Sequence, residues 1–393
     1  MLKISLRPNL IYPINLIFWN FLRKIISIII SELFDFNASV IYTFLMFLGE
    51  FIGGYLVYQY QKSFIKNSNN KSKKLKLIHF TVVKEEMKMT RADGPKKIGF
   101  LVIMTAFFDF FSFILSTYYI DKIHKISGSL QLRLGGVLIL ASSLLYWHLL
   151  KFQMYKHHIF SLIIFGICII ILIISEFFFQ EFDGIIKAKD LSFAILLSIF
   201  SYLSIVFDDI IEKYLIEFDF LNPYFILFLE GLIGLILTII CALIENSFKD
   251  FVIVFKNNST GMFIIFIFLL IFYFLFGALK NIYRMTTILL FTPMNKNLAD
   301  IIINPLYIIY YFCSGEDFIK IGGKNYAYFF INLLLLIIFD ICGLIFNEFL
   351  ILFCCGLNYN TYKSIAFRAA LKEDMDILLE LNEDIDKNED SYF

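Results

Sequence analysis

The chain has no surplus of either charge. Lys+Arg and Asp+Glu both number 34 in 393 residues, so the formal net charge is zero. Without a basic stripe to meet phosphates, nucleic acid is argued against as a partner. There is no Walker A sequence, no G-x-S-x-G and no G-x-G-x-x-G opening a helix after a strand, which speaks against ATP-driven pumping by this chain alone. No nucleophile, metal set or paired catalytic acids stand out, so no enzyme is expected and no cofactor is implied. His124, His148, His157 and His158 lie near the ends of apolar runs without H-E-x-x-H or other ligand spacing, and no metal is assigned. The six cysteines show no C-x-x-C spacing; Cys168, Cys241, Cys313, Cys342, Cys354 and Cys355 sit in or beside apolar runs and read as packing residues. At the start, "MLKISLRPNLIYPINLIFWNFLRK" lacks a clean apolar stretch with a small-residue cleavage site, and it is expected to be retained.

What is present is apolar mass. Hydrophobic residues make up 59% and aromatics 19%, with a mean hydropathy of +0.77. Soluble domains average about 45–50% apolar residues, so composition alone indicates an all-α polytopic membrane protein. A span needs about 20 mostly apolar residues. About ten transmembrane helices are expected, over 10–34, 41–61, 98–120, 126–149, 158–176, 191–212, 223–245, 261–283, 286–312 and 326–355. Arg23 and Lys24 interrupt the first. Pro293, Lys296, Asp300 and Pro305 make the ninth irregular.

Lys and Arg bias sets the orientation. The 62–97 connection is rich in both, and Lys151, Lys156, Lys280, Arg284, Lys363, Arg368 and Lys372 fall on the same side when ten spans are threaded. Both termini are therefore expected in the cytosol, together with 62–97 and a tail over 356–393.

Two stretches pose the functional question. "LMFLGEFIGG" (45–54) and "LFLEGLIGLI" (227–236) each set one carboxylate, Glu50 and Glu230, into an apolar run with a glycine four residues on. A carboxylate at membrane depth costs a few kcal/mol or more, so something must offset it. Either both acids face a central cavity and bind substrate or a proton, or each ties its helix to a neighbour while the glycines allow close packing. Five spans followed by five would place the halves, 10–176 and 191–355, in opposite orientations, as inverted repeats of secondary transporters are arranged.

Other polar groups are weaker signals. Asp109 stands among aromatics as a cavity residue or a contact between helices. Gln131 and Arg133 open the fourth span; Arg133 either meets an anionic substrate or snorkels to the interface. "FDDIIEKY" (207–214) reads by default as a solvated helix end. Asp300, between two prolines in an interrupted helix, is a cavity candidate. In the tail, Asp374, Leu378 and Leu379 fit a D-x-x-x-L-L pattern of the kind read by vesicle-sorting adaptors; an ordinary amphipathic helix fits too.

"FLMFLGEF", "EKY" followed by "NPYFILFLEGLIG", and "SGSLQLRLGG" together resemble the drug/metabolite transporter superfamily, and within it EamA-like proteins and the F-type members of solute carrier family 35. The resemblance runs from about 10 to 355. It implies ten helices in two inverted five-helix repeats, a central cavity, alternating access without ATP, and endomembrane residence, often endolysosomal or Golgi. It also implies a basic residue in the first span, a place filled by Lys24 or Arg23. The family's Gln-x-x-Arg-Gly is altered here, because Arg133 comes one residue early, and one residue turns a helix by about 100°. The expected function is secondary-active transport of a small polar or anionic metabolite, with a nucleotide sugar as the best-known class. The alternative is a membrane scaffold or receptor-like protein whose buried acids only pack helices. The expected partners are the lipid bilayer, a small-molecule substrate and sorting adaptors.

Overall fold

A computed structural model describes residues 2–4, 10–34, 36, 39–68, 94–115, 134–151, 153–179, 188–245, 248–314, 325–352 and scattered positions of 357–368. Gln131, Arg133, Asp374, Leu378 and Leu379 lie outside the described residues. Twelve helices appear among those described: α1 (Ile11–Phe34), α2 (Ser39–Ser68), α3 (Pro95–Phe113), α4 (Gly136–Leu149), α5 (Lys156–Phe179), α6 (Ala188–Glu217), α7 (Pro223–Glu245), α8 (Phe248–Asn257), α9 (Thr260–Leu290), α10 (Pro293–Ile301), α11 (Asn304–Ser314) and α12 (Asn325–Phe346). Seven of them (α1, α2, α5, α6, α7, α9 and α12) are long and apolar enough to cross a membrane. The protein is an integral membrane protein with an all-helical spanning body.

Local chemistry sets the helix starts. Proline, which has no N–H to leave unsatisfied, opens α3, α7 and α10. Asn222 Oδ1 accepts from the Tyr224 N–H at 2.9 Å, and Ser259 caps α9 through the Met262 N–H. The lipid-facing surface reads as stripes of aliphatic residues. On α5, Ile163, Ile167, Ile170 and Ile174 recur at helical spacing and are all exposed.

Several boundaries differ from the sequence reading, each for a physical reason. Arg23 and Lys24 do not interrupt α1, because Arg23 turns inward to the Tyr273 hydroxyl and Lys24 to the face of the Tyr307 ring. The eighth span does not stop at 283. It continues as α9 to Leu290, so Lys280 and Arg284 lie inside the bundle and add nothing to a cytosolic charge count. The tenth span ends at Phe346, where Glu348 adopts φ 59° and turns the chain into a short strand. An additional helix, α8, follows α7. Between α10 and α11 the chain breaks just before Pro305, whose missing N–H cannot continue a helical ladder.

Two strands tie the start of the chain to the stretch after α12. β1 (Leu2–Ile4) pairs antiparallel with β2 (Leu350–Leu352), Leu2 opposite Leu352. One strand precedes the first described helix and the other follows α12, so the two ends of the helical body meet.

Inside, α2 and α7 pack most closely. A Cβ added at Gly54 would lie 2.7 Å from Phe228 N, and one at Gly231 would lie 2.2 Å from Phe51 N. A Cβ on Gly234 would strike the Phe47 ring at 2.2 Å. Backbone meets backbone there, which only glycine permits. The other main pairings are α1 with α9 and α10, α3 with α6 and α7, α9 with α2, α4 with α6 and α10, and α5 with α12.

Candidate functional site

The centre of the bundle holds a network of buried charge. Its hub is Arg284, on the last third of α9 and 4% exposed. Arg284 Nη1 donates to Asp208 Oδ2 at 3.0 Å, and Nη2 donates to Glu230 Oε2 at 3.3 Å. Glu212 Oε1 is 2.9 Å from Nη2, though off the line of a hydrogen bond. Glu50 Oε1 is 3.9 Å away and accepts instead from Asn281 Nδ2 at 2.8 Å. One guanidinium thus collects four carboxylates from α2, α6 and α7. A guanidinium suits this position because its planar donors point several ways and it keeps its charge on burial.

A second knot lies alongside. Lys296, on α10, donates to Asp209 Oδ2 at 3.1 Å and to Asn297 Oδ1 at 3.3 Å, and sits 3.1 Å from Asp300 Oδ2. Asn20, on α1, donates to Asp300 Oδ1 at 3.2 Å. Lys213 caps the end of α9, donating to the Ile288 and Phe291 carbonyls at 2.8 and 2.7 Å and pairing with Glu217 at 2.9 Å. A cation there meets the orphan carbonyls and the negative end of the helix dipole.

The network forms the floor of a cavity of about 360 Å³. Glu50, Asp109, Lys280, Asn281, Arg284, Lys296 and Asp300 line it, together with Arg23 and Lys24. The rest of the lining climbs away from the chain ends, through Ser27 on α1, Tyr42 on α2, Phe113 on α3 and Leu138 on α4. Its wall on the α1 side is basic. Arg23 Nη1 donates to the Tyr273 hydroxyl at 3.0 Å, and the Lys24 ammonium lies over the Tyr307 ring at 4.7 Å. Lys280 lines the same wall and has no hydrogen bond or ion pair among the described residues.

Of the residues singled out from sequence, Glu50, Lys24, Asp109 and Asp300 line the cavity. Glu230, fully buried, stands behind Arg284 rather than in the cavity wall. The expectation of a solvated end at 207–214 is corrected. Asp208, Asp209, Glu212 and Lys213 are all at least nine-tenths buried, because Arg284, Lys296 and the α9 terminus supply their partners. Arg284, Lys296, Lys280 and Asn281 were missed as site residues. The available signal was Asp208 and Glu212, four apart on one helix face, and a single arginine deep in an apolar helix.

Elsewhere, His157, His158 and Glu348 gather at the start of α5, with His157 Nε2 3.5 Å from Glu348 Oε1. His158 Nδ1 accepts the Tyr155 N–H at 3.0 Å, so its proton sits on Nε2 and neither nitrogen offers a lone pair to a metal. No family model and no curated protein sequence matches the chain.

Proposed function

We propose that the protein is a secondary-active transporter of a small polar or anionic metabolite. The observation that carries this is the cavity: a charged, metabolite-sized space inside a membrane-spanning bundle, lined from α1, α2, α3, α4, α6, α9, α10 and α11. Packing alone would close such a space, because buried charges gain most when every partner is in contact. Open volume beside Arg23, Lys24 and Lys280 suits a ligand carrying negative charge.

We further infer ten crossings in two inverted repeats, with α3, α4 and the broken α10–α11 pair completing the seven long spans. The helix pairings support this. With crossings numbered in chain order, adding five converts α1–α9 into α6–α3, α2–α9 into α7–α3 and α1–α10 into α6–α4, while α2–α7, α4–α10 and α5–α12 map onto themselves. This is the symmetry expected of a transporter that rocks one repeat against the other. Membership of the drug/metabolite transporter superfamily, endomembrane residence, cytosolic termini and a tail read by sorting adaptors remain parts of the same proposal.

The test is uptake. Full-length protein in liposomes is offered a mixture of nucleotide sugars, nucleoside monophosphates and organic acids, beside an Arg23→Gln/Lys24→Gln variant. Accumulation of one solute above empty liposomes, and its loss in the variant, is expected. A folded protein that moves none of them, with unchanged metabolites in organelles from cells lacking it, would favour a scaffold.

A further inference from the structure

The interior holds more acid than base, and the excess is concentrated. Four carboxylates meet one guanidinium at Arg284, which leaves three uncompensated negative charges if all are ionised. Asp109, on α3, adds a fifth acid; it lines the cavity, is only 7% exposed, and its side chain has no hydrogen bond or ion pair among the described residues. The neighbouring knot contributes Asp209 and Asp300 against Lys296. Arg23 and Lys24 on α1 and Lys280 on α9 are the remaining charges facing the cavity, with the phenols of Tyr202, Tyr273 and Tyr307. With the Lys213–Glu217 pair set aside as balanced, seven acids face five bases. Two negative charges are left in a space where an isolated ion costs many kcal/mol.

Something positive must fill the deficit. Asp208, Glu212 and Glu230 each bring a carboxylate oxygen within 4.8 Å of the others, close enough to grip a cation. That place is already taken, because the Arg284 guanidinium sits at 2.9–3.3 Å from all three. A metal ion would be forced against it. A proton needs no such room. Glu212 Oε2, Glu230 Oε1 and Asp208 Oδ1 are buried with no hydrogen-bond partner, so each is a free seat for one.

We propose that the carboxylates around Arg284 form a proton-binding site that holds two protons, and that Asp109 is the port through which they exchange with the cavity. The site does not rest on the transport reading. If that reading holds, the same protons are the natural coupling ions, since their release would leave Arg284 and its acids to rearrange.

The experiment is infrared spectroscopy of the full-length protein in lipid nanodiscs at neutral pH, following the C=O stretch of protonated carboxyls. Two such bands are expected, both moving in D₂O. Glu212→Gln or Glu230→Gln should remove one carboxyl's worth of amplitude. Asp109→Asn, which leaves the Arg284 shell intact and covers the case in which the other variants do not fold, lowers the excess to one and should leave a single band whose deuteration is slowed several-fold. Absence of the bands, or bands that vanish when sodium or magnesium is added, overturns the site. Unchanged deuteration in Asp109→Asn overturns the port. Liposomes that move no solute while the bands are present would count against the transport reading and leave this one standing.

Discussion

Glu50 and Glu230 occupy like positions in sequence, each followed by a glycine four residues on, yet their surroundings differ. Glu50 borders the cavity, held by Asn281, with Arg284 at the edge of reach. Glu230 is sealed behind Arg284, from whose guanidinium it accepts directly, and it is not among the residues lining the cavity. Two acids with the same local pattern thus differ in access, one bordering the cavity and one closed off. The lesson is that acids set alike in sequence are placed apart by the partners that reach them, Asn281 for one and Arg284 for the other.

The sharpest way to break the comparison is to remove the group between the two acids. Arg284→Ala leaves four buried carboxylates without a counter-charge and should cost about 3–5 kcal/mol, read as loss of folded protein on detergent gel filtration. Arg284→Lys keeps one charge but not the fork, and should recover part of it. Next is the seam that brings the two helices together. Gly231→Ala forces a methyl against the backbone of α2 and should cost about 1–3 kcal/mol in thermal unfolding. The same change at Gly166, where nothing lies within 4 Å, should leave the midpoint unmoved.

The acids themselves come third. Glu50→Gln keeps size and hydrogen bonding, so it should abolish uptake while shifting stability by less than about 1 kcal/mol. Glu230→Gln should also stop uptake but show the larger loss of stability, since it takes an acceptor from Arg284. Equal stability losses would erase the distinction drawn between them. The smallest effect is one of access. A cysteine at Ser27 should react with a membrane-impermeant thiol reagent added on the side away from the chain ends, and a cysteine at Glu230 should not. Reaction of both from that side would show that the two positions share one wetted space.

How much of this was legible in the sequence depends on how far the cause lies along the chain. The apolar runs and the break before Pro305 rest on local pattern, and they could be read directly. The meaning of "FDDIIEKY" could not. A dense group of charges near the end of an apolar run looks like a solvated helix end. Only Arg284, 76 residues beyond Asp208, makes burial affordable. Arg284 was itself disguised, because a positive-inside count placed it in a loop, while α9 runs on through it as one continuous 31-residue helix. Asp300 and Lys296 show the intermediate case. Their i,i+4 spacing predicts contact on a helix, but the bond from Lys296 to Asp209 crosses the bundle.

The small sheet of β1 and β2 has a consequence for synthesis. Leu2 emerges from the ribosome first, and its partner Leu352 follows 350 residues later. At 5–20 residues per second that interval is about 20–70 s. Throughout it, the N-terminal strand presents an open edge beside the membrane while helix after helix is inserted. The sheet can close only when α12 is in place, so its closure marks the insertion of that helix, and a reporter that senses β1 pairing would date that step in a living cell.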